Sequence, residues 1–259
     1  MFLFLIQPAM KWIKTKHLVI IPHEDLNYIP FQVFQDPSNN KFAGELFKIS
    51  YAPSVSILLS LKKGGSIAGK RLLAAADPDI TEAGDEVKAI GRLYAGRSKV
   101  VNESLIKETD VKALAGDYNL LHLSVHGKFN PQEPLLSNVR LKEGGKDDGL
   151  LTAAEMFGLP LDKTLLVVLS ACETGQAEAT HANEILGMVR ALLYAGANTL
   201  ILSYWEVEAA STALWMEAFY REAQTKSLSE AAHSALMAVK KHPSYNHPYY
   251  WGAFMMVGR

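Results

Sequence analysis

Two residues of this chain stand where chemistry could be done. His126 closes the largely apolar run Leu120-Leu-His-Leu-Ser-Val125 and is followed by Gly127. Cys172, the single cysteine, lies just past a second run, Leu165-Leu-Val-Val-Leu169, in the string Ser170-Ala-Cys-Glu-Thr-Gly175. A thiol that ionises is a nucleophile, and an imidazole beside it can move protons for a leaving amine. Taken alone, a buried cysteine is usually a small hydrophobe. Cys172, however, sits beyond its apolar run, beside Glu173, Thr174 and Gly175, where the chain turns polar. That places it at a strand's mouth, where backbone N–H groups of a following turn or helix would lower the thiol pKa.

The elements that must position this pair follow from periodicity. Strands are expected at His17–Ile21, Leu72–Ala76, Leu120–Val125, Leu165–Leu169, Thr199–Ser203 and Ala253–Val257. The apolar runs at Leu165 and Thr199 do not alternate, which suits strands covered on both faces. Helical spacing marks Ala83–Ala95, Glu184–Tyr194, Ala209–Gln224 and Ser227–Lys241. Asn183 would cap the second, with Gly196 past its end, and Ser227-x-x-Glu230 has capping-box spacing. Strand–helix alternation with short connections predicts an α/β fold: a mostly parallel central sheet of about six strands with helices on both faces. In such sheets chemistry gathers at the carboxyl ends of strands, so His126 and Cys172 are expected on one edge.

The first residues read differently. Lys16–Gln32 reads as a strand, a turn at His23-Glu-Asp25 and a second short strand interrupted by Pro30, and Pro37-Ser-Asn-Asn40 as a turn. Leu61–Lys70, with Gly64, Gly65 and Gly69, reads as a linker. The expected organisation is a strand-rich N-terminal extension over residues 1–62 packed on a core over 63–259.

Composition limits the remaining choices. The 259 residues carry 26 Lys+Arg against 27 Asp+Glu, and a net charge of −1 excludes a generic nucleic-acid binder. Apolar types at 49% exclude disorder. One cysteine excludes a disulfide framework and cysteine zinc sites. No apolar run approaches the ~20 residues of a membrane span, and Met1–Ile6 lacks the basic start of a signal peptide. A cytoplasmic protein without membrane contact is expected. Gly64-Gly-Ser-Ile-Ala-Gly69-Lys70 nearly matches a phosphate loop, but Arg71 replaces the magnesium-binding hydroxyl and the segment precedes a strand instead of opening a helix. Asn102-Glu-Ser104 has no meaning as a glycosylation triplet in a cytoplasmic protein. His242, Tyr245, His247, Tyr249, Tyr250 and Trp251 read as an aromatic turn packed on the sheet, since no carboxylate or cysteine stands at a ligand spacing. No metal or cofactor is expected.

The wider pattern resembles the CHAT domain, a caspase-like module related to separases and gingipains. The resemblance runs over roughly residues 16 to 259. It is carried by Leu18-Val-Ile-Ile-Pro22, Ile49-Ser-Tyr-Ala-Pro-Ser54, Leu121-His-Leu-Ser-Val-His-Gly127 with Phe129, Leu169-Ser-Ala-Cys-Glu-Thr-Gly175, Gly196-Ala197 with Trp205, and Pro248–Trp251 with Phe254 and Gly258. His126 precedes Cys172 by roughly 50 residues, a caspase-type separation.

The resemblance implies a three-layer caspase-like fold and a cysteine endopeptidase acting on protein or peptide substrates through a His126/Cys172 dyad and a thioester intermediate. It implies an oxyanion hole formed by the backbone N–H groups of Gly127 and Cys172. Residues after the first core strand and after the strand following the cysteine would line the S1 pocket: Asp77, Asp79, Trp205, Glu206 and Glu208. Their carboxylates raise the expectation of Arg or Lys at P1. His181, nine residues past Cys172, could serve as a rival base, but it is expected instead to sit in a mobile loop over Gln176–Ala182. Such families carry a sensor or repeat region on the same chain. None stands before residue 16, so a repeat-containing regulator is expected on a separate chain or on a missing segment. Asn130–Gly149, rich in Pro and Gly, reads as a flexible or hairpin segment near the site. The alternative function is a catalytically silent CHAT-like interaction module presenting the same groove. A non-proteolytic α/β hydrolase or acyltransferase using Cys172 is a third; the absence of a G-x-S-x-G elbow and the resemblance both speak against it.

Overall fold

A computed structural model describes residues 1–62, 65–128, 130, 132–170, 182–205 and 208–259, with backbone alone at 182–185. The strands are β1 His17–Ile20, β2 Lys48–Tyr51, β3 Leu72–Ala76, β4 Ser98–Val101, β5 Leu120–Ser124, β6 Gly127–Lys128, β7 Asn138–Arg140, β8 Leu150–Thr152, β9 Leu166–Leu169, β10 Leu200–Ser203 and β11 Phe254–Val257. The α-helices are α1 Phe2–Leu5, α2 Ala43–Leu46, α3 Val55–Ser60, α4 Ala83–Leu93, α5 Glu108–Leu114, α6 Ala153–Met156, α7 Ala182–Tyr194, α8 Ala209–Glu222, α9 Leu228–Lys241 and α10 Pro248–Trp251.

Eight strands form the central sheet in the order β1-β2-β11-β10-β9-β5-β3-β4. Every neighbouring pair is parallel except β10 and β11. Along each central strand successive side chains enter opposite layers. Leu73, Ala75, Leu121, Leu123, Val167 and Leu169 pack on one face with α5 and α7. Leu72, Ala74, Leu120, Leu166, Val168 and Ile201 pack on the other with α4, α8 and α9. The result is the three-layer α/β sandwich that the non-alternating runs predict.

All six expected strands are present, within a residue at each end. Two more were not anticipated. Lys48-Ile-Ser-Tyr51 and Ser98-Lys-Val-Val101 lack a continuous apolar run, because β4 lies at the sheet edge with Lys99 exposed and β2 alternates. The second short strand expected before Gln32 is absent: Glu24–Tyr28 and Phe31–Val33 are 3₁₀ helices. Pro30 has no N–H to offer a ladder, and the Phe31 amide donates to the Tyr51 hydroxyl at 2.9 Å in place of a strand partner. Residues 1–62 also do not form a sheet of their own. Their strands β1 and β2 join the main sheet through β11.

Helix ends mostly follow the sequence signals. Ser227 and Glu230 close a capping box on α9. Gly196, with φ +111°, follows α7, and a Cβ there would sit 2.8 Å from the Asp162 nitrogen. Asn183 lies inside α7 instead of capping it. The Gly64–Lys70 segment leads into β3, with Ile67 buried and its amide bonded to the Ala223 carbonyl; Gly64 itself lies outside the described residues.

One polar cluster interrupts the core. His122, on β5, is fully buried, with Nε2 at 2.9 Å from Glu86 Oε1 of α4 and Nδ1 at 3.2 Å from the Tyr220 hydroxyl of α8. Burial raises the Tyr220 phenol well above its ordinary pKa, with the nearby Tyr94 and Glu86 adding to it, so it stays protonated. Removing one partner strands the others without water. Glu86→Ala should therefore lower the unfolding free energy in urea by about 3 kcal/mol. The double change Glu86→Leu with His122→Phe should cost clearly less than that single change, and an equal or larger loss would show that the network is itself stabilising.

Candidate active site

Four central strands end in register. Ala75 pairs with Leu123, Leu123 with Leu169, and Leu169 with Leu202, across β3, β5, β9 and β10. All four run in the same direction, so the chain leaves them along one edge. Asp77 follows β3, His126 follows β5 and Trp205 follows β10 on this edge. The Ser170 amide, just past β9, donates to the Leu123 carbonyl at 2.9 Å. Cys172, two residues further, lies outside the described residues, as do Glu206 and the rival base His181.

His126 is half-buried and lines an open cleft of about 820 Å³ together with Gly127, Asp79, Arg140, Asp148 and Leu150. Among the described residues no side chain partners its imidazole. Its carbonyl accepts the Arg140 amide at 2.7 Å, and Gly127 pairs with Val139 in the antiparallel β6–β7 ladder. Hydrogen-bonded and non-hydrogen-bonded pairs alternate in such a ladder. A bonded His126–Arg140 pair therefore turns the Gly127 N–H away from β7.

The cleft's outer wall is the segment expected as a flexible loop or hairpin. It forms a three-stranded antiparallel sheet, β6-β7-β8. Val139 and Leu151 face inward and are buried, and Asn138 and Arg140 face the cleft. Gly149, with φ +85°, closes the turn: its carbonyl accepts the Leu141 amide, and a Cβ would meet the Leu141 carbonyl at 2.7 Å.

The expected S1 residues divide by role. Asp77 is fully buried; its Oδ2 accepts Arg140 Nε at 3.1 Å and Nη2 at 2.6 Å, and its Oδ1 accepts the Asp79 amide at 3.0 Å. Asp79 Oδ2 accepts Arg140 Nη2 at 2.8 Å. These two carboxylates thus hold a resident guanidinium, and Asp77 is an anchor and not a free wall of a pocket. Glu208 is the N-cap of α8, with Oε2 accepting the Ser211 amide at 3.0 Å. Trp205 donates its indole N–H to the Tyr249 carbonyl at 3.0 Å and stacks between Tyr204 and Tyr249.

Arg140 was missed by sequence reasoning. The available signal was the alternation Asn138-Val-Arg-Leu141, which sets a charged residue opposite two core residues within a segment read only for its Pro and Gly. The C-terminal histidines serve turns. His247 Nδ1 caps α10 by accepting the Tyr249 amide, and His242 stacks on Tyr245 with centroids 4.6 Å apart.

Among the described residues one carboxylate cluster has the types to hold a cation: Glu108, Asp147 and Glu155. The Lys112 ammonium fills it, at 2.6, 3.0 and 2.9 Å from the three. Glu108 Oε2 also accepts the Gly149 amide at 2.9 Å. The cluster pins the far end of the hairpin to α5 and α6.

The CHAT domain family model matches residues 2–259. The chain belongs to the CHAT domain family. Among curated proteins, human and mouse tetratricopeptide repeat protein 28 are each 22% identical to this CHAT domain over 300 residues, covering 95% of it but 12% of their own length. Among solved structures, separase from Saccharomyces cerevisiae in its complex with securin superimposes with a TM-score of 0.64 at 14% identity, over 93% of this chain and 16% of that one. The Arg-specific cysteine proteinase gingipain R aligns with a TM-score of 0.50 at 12% identity, over 81% of this chain and 54% of that one. These likenesses establish a shared caspase-like fold for the CHAT domain.

The Lys112 cluster also sets how this wall responds to acid. Burial pushes the Glu155 carboxyl up, but the Thr152 amide, the Lys112 ammonium and the Thr152 hydroxyl outweigh it and hold the pKa at about 2, below its ordinary 4.5. A carboxylate so depressed stabilises the fold above about pH 4.5, and that contribution is lost as pH falls toward about 2. Melting temperature measured from pH 6 to pH 2 should fall less steeply in Glu155→Gln than in the parent chain; identical slopes would refute the assignment.

Proposed function

We propose that this CHAT domain is a cysteine endopeptidase in which Cys172 is the nucleophile and His126 the acid–base. The observation that carries the reading is the His126 imidazole, unpartnered among the described residues, lining an open cleft on the sheet edge where β9, the strand before Cys172 in the sequence, also ends. The Cys172 thiolate attacks the scissile carbonyl and forms a C–S bond. The oxyanion is held by the N–H groups of Gly127 and Cys172, a donor pair of the kind worth about 10²–10³ in rate per donor. His126 gives its proton to the leaving amine as the C–N bond breaks, leaving a thioester. Water, deprotonated by His126, then releases the acid and restores the thiol. The turned-out Gly127 N–H supports its part in this step. The cytoplasm, where thiols are kept reduced, is the proposed location.

A second reading is a silent interaction module, and the curated relatives favour keeping it, since they are named for their repeats. A tetratricopeptide-type repeat segment, on another chain or a longer form of this one, is the proposed regulator in either case. The P1 residue is left to a substrate panel, because Asp77 and Asp79 already hold Arg140 and Glu208 caps a helix.

Activity-based labelling separates the two readings. Peptide acyloxymethyl ketones with Arg, Leu or Asp at P1 should form an adduct on Cys172, absent in Cys172→Ala and slowed about 10²–10⁴-fold in His126→Ala. No adduct with any probe, with and without a repeat-protein partner, would favour the silent module.

A further inference from the structure

The chain leaving β5 is held from three sides. The Leu123 carbonyl accepts the Ser170 amide from β9 at 2.9 Å. The Ser124 carbonyl accepts the Asp77 amide from the end of β3 at 2.8 Å. The His126 carbonyl accepts the Arg140 amide from β7 at 2.7 Å. The last two holds are joined to each other, because Arg140 Nε and Nη2 donate to Asp77 Oδ2 at 3.1 and 2.6 Å. A closed ring results: Asp77 backbone to Ser124, along the chain to His126, across to Arg140 backbone, and through its guanidinium back to the Asp77 carboxylate. The His126 side chain, carried inside this ring, has no partner among the described residues.

We propose that Arg140 is a positioning residue for His126, and that its guanidinium, locked to Asp77 and Asp79, fixes the backbone from which the imidazole projects. The proposal rests on the reading of His126 as the acid–base of the dyad. The ring needs a fork. One guanidinium reaches Asp77 twice and Asp79 once, at 2.8 Å, and its planar donors fix direction as well as distance. The Asp77 carboxylate is wholly buried, so without its partner it would stand as an uncompensated charge, and the hairpin cannot lift from the sheet without exposing that cost. Ordinary hairpin pairing holds β7 to β6 and β8 but not to β3. Among the described residues the Arg140 side chain supplies that link. The bonds to the two carboxylates come from Nε and Nη2, so positioning does not use all of the Arg140 donors.

Two measurements on the full chain test this without a known substrate. The first is amide hydrogen exchange at Arg140 and Asp77. The second is the pH dependence of Cys172 alkylation by iodoacetamide, which reports whether an imidazole is coupled to the thiol. The variants are Arg140→Lys, which keeps the charge and loses the fork, and the neutral double Asp77→Asn with Arg140→Gln, which leaves no buried charge to unfold the chain. Both should speed Arg140 amide exchange at least ~10-fold while the β5 amides stay protected, and both should move the alkylation profile toward that of His126→Ala. The neutral double Lys112→Met with Glu108→Gln, which loosens the hairpin at its other end without leaving a buried charge, should leave the profile as in the parent. Unchanged Arg140 exchange in both Arg140 variants overturns the proposal. So does faster exchange with a parent-like alkylation profile, or a Lys112/Glu108 double-variant profile shifted as far as that of Arg140→Lys. If His126→Ala alone leaves the profile unchanged, the dyad reading fails, and hydrogen exchange by itself then decides whether Arg140 fixes the His126 backbone.

Discussion

The structure depends on a sheet that is dry on both faces. Between the helical layers, β3, β5, β9 and β10 carry almost nothing but aliphatic side chains, and their register aligns Ala75, Leu123, Leu169 and Leu202 in one row. Polar groups inside such a sheet need complete partnering, as His122 has, so free polar chemistry begins where the chain leaves the row. That single constraint collects Asp77, His126, Ser170 and Trp205 along one edge from four distant parts of the sequence. The antiparallel step from β10 to β11 limits the collection. Beyond it β11, β2 and β1 run the other way, so they widen and bury the sheet without sending their carboxyl ends to the site.

An edge of strand exits is only half a cleft. The other half is the β6–β8 sheet, whose residues are too few to build a core. Val139, Leu141 and Leu151 are its buried side chains, and they join the main cluster beneath α5 and α7. Charge does the rest. Lys112 neutralises part of a carboxylate triad at the Gly149 end, and Arg140 meets Asp77 and Asp79 at the His126 end. Neither cluster would be worth much on an open surface, where ion pairs contribute little. Each instead includes a fully buried carboxylate, Glu108 or Asp77, whose charge has no other cation beside it among the described residues. A buried charge that depends on one partner fixes that partner's place more firmly than it stabilises the fold.

Much of this was legible from residue order. Long apolar runs reveal strands buried on both faces, so β3, β5, β9, β10 and β11 were visible, and the shared edge of His126 and the Cys172 strand followed from parallel connections. Short edge strands such as Ser98–Val101 were not, because one exposed side removes the run that marks the others. The roles of Asp77 and Glu208 were not legible for a different reason. A carboxylate past a strand end looks the same whether it lines a pocket, caps a helix or anchors an arginine, and only the partner decides. Arg140 stands 63 residues from Asp77. No local rule connects the two, and the pairing exists because the hairpin folds back over the end of β3.

The two histidines of β5 and its exit show how position decides partnering along one strand. His122 and His126 are the same side chain on nearly continuous backbone. His122 points into the α4–α8 layer and meets a carboxylate and a phenol at hydrogen-bonding distance, which satisfies both ring nitrogens and leaves neither for a reaction. His126 emerges past the last ladder position, where the groups around it are already matched to one another: Arg140 with Asp77 and Asp79, and the Ser124 and His126 carbonyls with backbone amides. The main chain at His126 is held while its ring has no side-chain partner among the described residues, in contrast to the ring of His122. Every bond in the ring of contacts around His126 is made to backbone or between other side chains, so the ring fixes the backbone without engaging the imidazole.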